Sequence, residues 1–405
     1  MSKLYISILK DTDVLLWGLT GEQRLRRMFS KHAGVEIIED ISELPANTTV
    51  LLLRADYLFD PRLLQALLTA QEEFALFATN SEQVSALRAK SEYAQTLASE
   101  LLGESEKILL LTLTSKQPAD LISAYDPRLL KYDAAEILPI NEENKDYLEN
   151  EIFDASYKGI TDFVTKWLWP VPARAAVKWC VRYGFSPNQV TLFSLILTVL
   201  AGVAFWQGHF IAGLAMGWFM TFLDTVDGKL ARVTITSSKI GDILDHGLDL
   251  IHPPLWYLAW GFGIADTWMS TSLVMPLFWI VLGAYIGGRF CEGAFELWIA
   301  PFRLFLWRPW DSFNRLITAR RNPNLVILSL SLVFGRPDIG LYLVVIWHII
   351  STLVLALRMS LAFKEKRQNG ELTTWLNNID PQRDRQLLEV RVFTRLSKTT
   401  LSSKP

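Results

Sequence analysis

DTVDGKLARVTITSSKIGDILDHGLDL, residues 224–250, decides how the chain is read. It leaves one apolar segment, IAGLAMGWFMTFL (211–223), and enters another, LIHPPLWYLAWGFGI (250–264). Asp224, Asp227, Asp245 and Asp249 therefore stand at the mouth of a lipid-facing region, where an ionised carboxylate is costly. A ligand has to offset that cost. Asp224 and Asp227 are three apart and share one helical face, with Ala231 about one turn past Asp227 and Arg232 about two turns past Asp224. Gly241, Asp245 and Asp249 are spaced by four and form a second face. Two faces with two carboxylates each can converge on divalent cations; ionised together without cations, they would repel. Gly228 and Gly241 clear side chains from the backbone, so that a bulky ligand's phosphates can approach, and Arg232 offers a phosphate a two-pronged guanidinium.

Composition frames this site. Half of the 405 residues are hydrophobic and 15 are Trp, with a mean hydropathy of +0.21. That is too apolar for a soluble protein and too charged for membrane throughout, so one domain of each kind is expected. Residues 1–150 carry 15 Lys and Arg against 24 Asp and Glu, whereas residues 151–405 carry 25 against 18. The basic half suits anionic headgroups and phosphorylated substrates, and no nucleic-acid partner is expected. Cys180 and Cys291 make neither a disulfide framework nor a metal motif. MSKLYISILKDTD is too short and too charged for a signal peptide, so the soluble half is expected in the cytoplasm.

Within residues 1–150, apolar runs at 4–9, 35–38, 49–53, 74–79 and 107–114 alternate with helix-like stretches at 21–33, 61–71 and 80–102. Strands separated by helices predict a parallel, Rossmann-like α/β sheet. Residues 151–188 mix Trp with Lys and Arg, as an interfacial amphipathic helix does. Ser186 reads as a helix N-cap with Pro187 behind it. A membrane domain over 189–365 follows, with apolar spans at 190–206, 210–226, 243–264, 272–291, 324–335 and 339–362, the fifth short. A cytoplasmic tail, 366–405, ends the chain.

Six spans place both termini on one side. Segments assigned to that side carry twelve cationic residues, from Lys229 and Arg232 through Arg320 and Arg321 to Arg367, while the opposite connections carry only Arg336. By the positive-inside rule the aspartates face the cytoplasm of an inner membrane.

The stretch spells D-x2-D-G-x2-A-R-x8-G-x3-D-x3-D, which resembles the signature of the CDP-alcohol phosphotransferase family, and SPNQVT (186–191) resembles the segment that opens that family's first span. The resemblance covers roughly 155–365. It implies that Asp224, Asp227 and Asp245 bind two Mg²⁺ or Mn²⁺ ions, with Asp249 close to one of them. Gly228, Ala231, Arg232 and Gly241 would line the CDP site. Asp249 would be the general base, taking the proton from an acceptor hydroxyl that attacks the β-phosphorus of a CDP-alcohol as CMP leaves. The donor would be of the CDP-diacylglycerol or CDP-inositol type, and the assembly a homodimer.

Arg289, Arg315, Arg320 and Arg321 are expected either to anchor topology or to grip a phosphate on the acceptor alcohol. Lys229 reads as a surface charge or a weak phosphate contact, and His252 and His348 as packed rather than ligating. WGLTGEQRLRRMFSKHAGV followed by VLLLRADYLFDPRLL resembles a sugar nucleotidyltransferase, with Asp56 at its metal position. The Gly-rich triphosphate loop is missing, so this domain is read as degenerate, serving structure or regulation. Two alternatives stand beside the main reading: a bifunctional cytidylyltransferase and phosphotransferase of the inositol phosphodiester type, and a cation transporter built on the aspartates.

Overall fold

The computed structural model describes residues 3–30, 32, 34–237 and 239–395; the side chains of 239–246, 248 and 249 lie outside that description. In the first half, strands β1 (Leu4–Leu9), β2 (Val35–Ile38), β3 (Thr49–Arg54), β4 (Tyr57–Phe59), β5 (Phe74–Phe77), β6 (Val84–Lys90) and β7 (Thr114–Lys116) alternate with helices α1 (Gly21–Phe29), α2 (Pro61–Thr69) and α3 (Ala94–Leu102). Short pieces follow: α4 (Pro118–Leu121), β8 (Tyr125–Asp126), β9 (Lys131–Tyr132) and β10 (Ile137–Pro139), then α5 (Lys145–Ala155).

The main sheet has the order β2-β1-β3-β6-β5-β7. It is mixed, not parallel as the sequence predicts: β1 runs parallel to β2 and β3, while β6 is antiparallel to both β3 and β5. The difference lies in VSALRAK (84–90), expected in a helix. Residues 84–89 lie between β3 and β5 in the sheet and are buried on both faces, against α1 and α2 on one side and α3 on the other, which erases the alternation that marks a strand. KILLLTLT (107–114), expected as a strand, is mostly not one. The buried Glu100 carboxylate accepts from the Leu109 and Leu110 N–H groups at 3.0 and 2.7 Å, which holds them in a turn away from any ladder.

Helices occupy all six positions predicted to be apolar spans. They are α7 (Pro187–Trp206), α8 (Phe210–Val233), α9 (Lys239–Ile264), α10 (Val274–Ala294), α12 (Arg321–Val333) and α13 (Pro337–Asn369); α6 (Pro170–Tyr183) precedes them, α11 (Pro309–Ile317) intervenes and α14 (Leu388–Phe393) follows. Among the described residues, four segments are long and apolar enough to cross a membrane: Pro187–Trp206, Phe210–Val233, Thr271–Ile299 and Pro337–Asn369. With 13 residues, α12 falls short of the roughly 20 that a membrane-spanning helix needs.

The two halves share cores. Trp17 and Phe153 pack with Val177 of α6, Val190 of α7 and Val226, Leu230 and Val233 of α8. Leu130 and Ile160 pack with Phe295, Phe305 and Leu355 of the helical half and with Val390 and Phe393 of α14. The chain after α13 is tied down as well: Thr374 Oγ1 donates to Leu306 O at 2.7 Å and Arg395 N–H to Tyr132 O at 2.9 Å. A chain beginning at residue 151 therefore loses part of its own core. Trp17 is 2% exposed, and emptying such a site costs about 3–5 kcal/mol. Both the truncated chain and Trp17→Ala are expected to melt clearly below the full chain in detergent. Equal melting temperatures would show that the first half is a detachable appendage.

Candidate functional site

α7 begins as the sequence predicts. Ser186 accepts from Gln189 N–H at 3.3 Å, Gln189 Oε1 accepts from Ser186 N–H at 2.8 Å, and Pro187 takes the first helical position. This fixed start presents Thr191, whose hydroxyl donates to Asp227 Oδ2 at 2.6 Å. Thus SPNQVT orients one of the signature carboxylates. Asp227 is 5% exposed.

One turn earlier on α8, Asp224 pairs with Arg321 Nη2 at 2.5 Å across the bundle. Arg232 curls back so that its Nη1 donates to Gly228 O at 2.9 Å. A methyl at position 228 would stand 3.4 Å from that same nitrogen, so glycine leaves the guanidinium room to lie on the helix. Ala231 follows on α8, half-buried. The remaining signature positions, Gly241, Asp245 and Asp249, fall on the helical stretch of α9, but their side chains lie outside the described residues.

Asp224, Gly228 and Arg232 line a cavity of about 540 Å³, and all four arginines singled out from the sequence reach it: Arg289, Arg315, Arg320 and Arg321. The floor comes from before the bundle, with Leu130, Lys158, Ile160 and Asp162. Among the described residues no group of three or more His, Cys, Asp or Glu is placed to hold a metal. Two of the four signature carboxylates are described, and both are hard oxygen donors of the kind Mg²⁺ and Mn²⁺ take.

Charge within the cavity is uneven. Glu292, one turn after Arg289, pairs with Arg289 Nη2 at 2.9 Å and also with Arg320 Nη2. Arg315 hydrogen-bonds or ion-pairs with no described residue; it lies over the Phe305 ring at 5.6 Å, and its Nη1 has no partner. Burial, and then Arg320 beside it, push its pKa down to about 9. The cavity lining sets six arginines, Lys158 and Lys229 against Asp162, Asp224, Glu292 and Glu296, an excess of positive charge that favours an anion.

Several site residues escape the sequence reading. Lys229, expected at the surface, is 5% exposed; its Nζ donates to Ser156 O at 3.1 Å and sits 3.6 Å from the Tyr157 ring centre. Asp162 accepts from Thr165 N–H, Thr165 Oγ1 and Asn322 Nδ2 at 2.9–3.0 Å, joining the segment before α6 to the start of α12. Glu292 was the most findable, because it sits three residues after Arg289 where a helical ion pair belongs. His348 packs as expected, with Nδ1 against Val344 O at 2.9 Å, and His252 is buried edge-on to Trp256.

Residues 185–292 match the family model described as CDP-alcohol phosphatidyltransferase. The chain carries a CDP-alcohol phosphatidyltransferase domain. Similar proteins include archaetidylinositol phosphate synthase of Pyrococcus horikoshii, 28% identical over 43% of this chain and 84% of that protein. Phosphatidylinositol phosphate synthase of Mycobacteroides abscessus is 31% identical over 24% of this chain and 44% of that one. Choline/ethanolaminephosphotransferase 2 of Arabidopsis thaliana is 36% identical over 23% of this chain and 28% of that one. The chain spans less than half the length of these last two. A crystal structure of Mycobacterium tuberculosis phosphatidylinositol phosphate synthase with manganese and citrate is 22% identical, covering 46% of this chain and 88% of that one at a TM-score of 0.36. The CDP-alcohol phosphatidyltransferase domain makes the chain a membrane transferase that moves a phospho-alcohol group from a CDP-alcohol to a hydroxyl acceptor.

Proposed function

We propose that this transferase joins a lipid CDP-alcohol, of the CDP-diacylglycerol type, to a phosphorylated alcohol and releases CMP. The observation that carries the reading is Arg315, a half-buried guanidinium on the cavity wall whose buried Nη1 has no described partner, beside two arginines that share one glutamate. Its pKa is lowered by burial even though Asp162 and Glu292 oppose the shift, so the site gains from a further anion. The two synthases named above, whose products are inositol phosphate lipids by name, agree with such an acceptor.

Asp224, Asp227, Asp245 and Asp249 would hold two Mg²⁺ or Mn²⁺ ions, which neutralise charge on the donor's diphosphate. Gly228, Ala231, Arg232 and Gly241 would line the CDP end, and Asp249 would take the proton from the attacking hydroxyl. Six helices at an inner membrane, α12 among them shorter than a full crossing, with the aspartates, the α/β domain and both termini in the cytoplasm, fit the distribution of Lys and Arg. Exposed Trp167, Leu168, Val171 and Trp179 beside Lys166, Arg174 and Lys178 support an interfacial role for 151–188. A homodimer is the assembly the family implies.

Neither alternative is favoured. Asp56 is held by Arg54 at 2.6 Å and Lys10 at 3.2 Å, an ion pair where a nucleotidyltransferase would keep a carboxylate for metal. The test is CMP release by the full chain in detergent with CDP-diacylglycerol and Mg²⁺ or Mn²⁺, comparing myo-inositol phosphate with free inositol. Faster turnover with the phosphorylated acceptor is the expected result. Equal rates would remove the acceptor reading, and no CMP with either would remove the donor.

A further inference from the structure

The α/β domain reaches the helix that carries Asp224 and Asp227 in its core and again at the C-terminal end of α8, where the contact is made by charged side chains. A helix leaves its last carbonyls without intrahelical partners. Here Ile235 N–H bonds to Arg232 O at 3.3 Å and Thr236 N–H to Ala231 O at 2.9 Å. This pair of bonds requires a left-handed residue just past the helix. That residue is Ile235, at φ 59°, a β-branched side chain where glycine or asparagine is usual. Such a turn persists only when its surroundings hold it.

The holding groups come from α1. Arg24 Nη1 donates to Val233 O at 3.0 Å and to Leu16 O at 3.4 Å, and Arg27 Nη1 donates to Thr234 O at 2.8 Å. The two carbonyls on either side of the helix end are thus gripped by cations, and a helix C-terminus favours positive charge. Arg24 is 4% exposed and hydrogen-bonds no carboxylate among the described residues. Burial, and then Arg27, push its pKa down to about 10. Glu149 offsets part of that cost through its charge, and the hydrogen bonds of Arg24 go to the two carbonyls. α1 is itself firmly seated: Thr20 and Gln23 form a capping box, and a methyl at Gly21 would fall 1.8 Å from Ala55 O.

We propose that Arg24 and Arg27 are positioning residues for phosphotransfer. From the α/β domain they clamp the turn after α8 and so set the Asp224–Asp227 face against the half of the signature that α9 carries. This gives the degenerate domain a task, and it rests on reading the aspartates as the metal-holding site of a transferase.

The test uses the full chain in detergent, with Arg27→Ala, Arg27→Lys and Arg24→Lys, and with Arg26→Gln as control because Arg26 pairs with Glu22 and Glu39 instead. Hydrogen exchange of residues 231–237 and calorimetric titration with Mn²⁺ are read beside CMP release. A lost charge-assisted bond is worth roughly tenfold. Arg27→Ala is expected to speed exchange and to raise both the Mn²⁺ dissociation constant and the half-saturating Mn²⁺ about tenfold, Arg27→Lys partly restoring them and Arg26→Gln changing neither. Faster exchange with unchanged Mn²⁺ affinity makes the clamp a structural tie only and overturns the proposal, as does wild-type behaviour on both readouts. If Arg24→Lys fails to fold, the exposed Arg27 series decides alone. A wild-type chain that releases no CMP overturns the transferase reading instead, and exchange with Mn²⁺ binding still judges the clamp.

Discussion

Replacing Asp224 with alanine is expected to cut CMP release roughly 10³-fold, the scale at which removing one charge-stabilising group from an active site is felt. Two causes are combined in that loss, and they can be separated. Asp224 is the ion partner of Arg321 at 2.5 Å, with side-chain exposures of 20% and 15%. Deleting one partner of a partly buried pair destabilises the fold, because the remaining charge loses part of its compensation. The double variant Asp224→Ala, Arg321→Met removes that cation as well and should recover much of the lost melting temperature. Its turnover should stay at the level of the single variant if Asp224 holds metal. Recovery of turnover in the double variant would make Asp224 a structural anion. Asp249→Asn offers the contrast: a base acts on the proton, so turnover should vanish while CDP-alcohol and Mn²⁺ binding persist in calorimetry.

The helices that carry the signature were legible because two signals coincide over 210–264: apolar length and carboxylates repeating at three and four residues. The cap at Ser186 was legible from S-P-x-Q alone. What stayed hidden is non-local. VSALRAK is a strand because β3 and β5 pair with its two edges while helices cover its two faces, and no short window of sequence records that. KILLLTLT turns aside because Glu100, at the end of α3, captures its amides. Lys229 reads as a surface lysine until Ser156 and Tyr157, some seventy residues upstream, close over it. The cavity follows the same division. Its signature wall on α8 and its arginines could be named from sequence, whereas the floor at Leu130, Lys158 and Asp162 depends on the α/β half folding back beneath the bundle.

The same uneven legibility sharpens the question of the acceptor. From sequence the four arginines are equivalent candidates; in the structure they are not. Arg321 is committed to Asp224, and Arg289 and Arg320 divide Glu292 between them. Arg315, on α11, reaches the same cavity with neither a hydrogen bond nor an ion pair to any described residue. If it only anchors topology, Arg315→Lys keeps the charge and changes little. If it grips a phosphate, lysine keeps the charge but loses the planar fork, and the shorter contact list shows in affinity. One charge-assisted hydrogen bond is worth about 1.5–3 kcal/mol, or roughly ten- to hundred-fold. With the CDP-alcohol saturating, Arg315→Lys is therefore expected to raise the KM for a phosphorylated acceptor by that factor. kcat should move little, because the grip is made equally in the ground and transition states. Arg289→Lys and Arg320→Lys should show smaller shifts, since Glu292 already occupies part of each fork. Inorganic phosphate should compete with the acceptor in the parent enzyme and much less in the Arg315 variant. A wild-type KM in Arg315→Lys would remove the main support for a phosphorylated acceptor and turn the choice to a neutral alcohol.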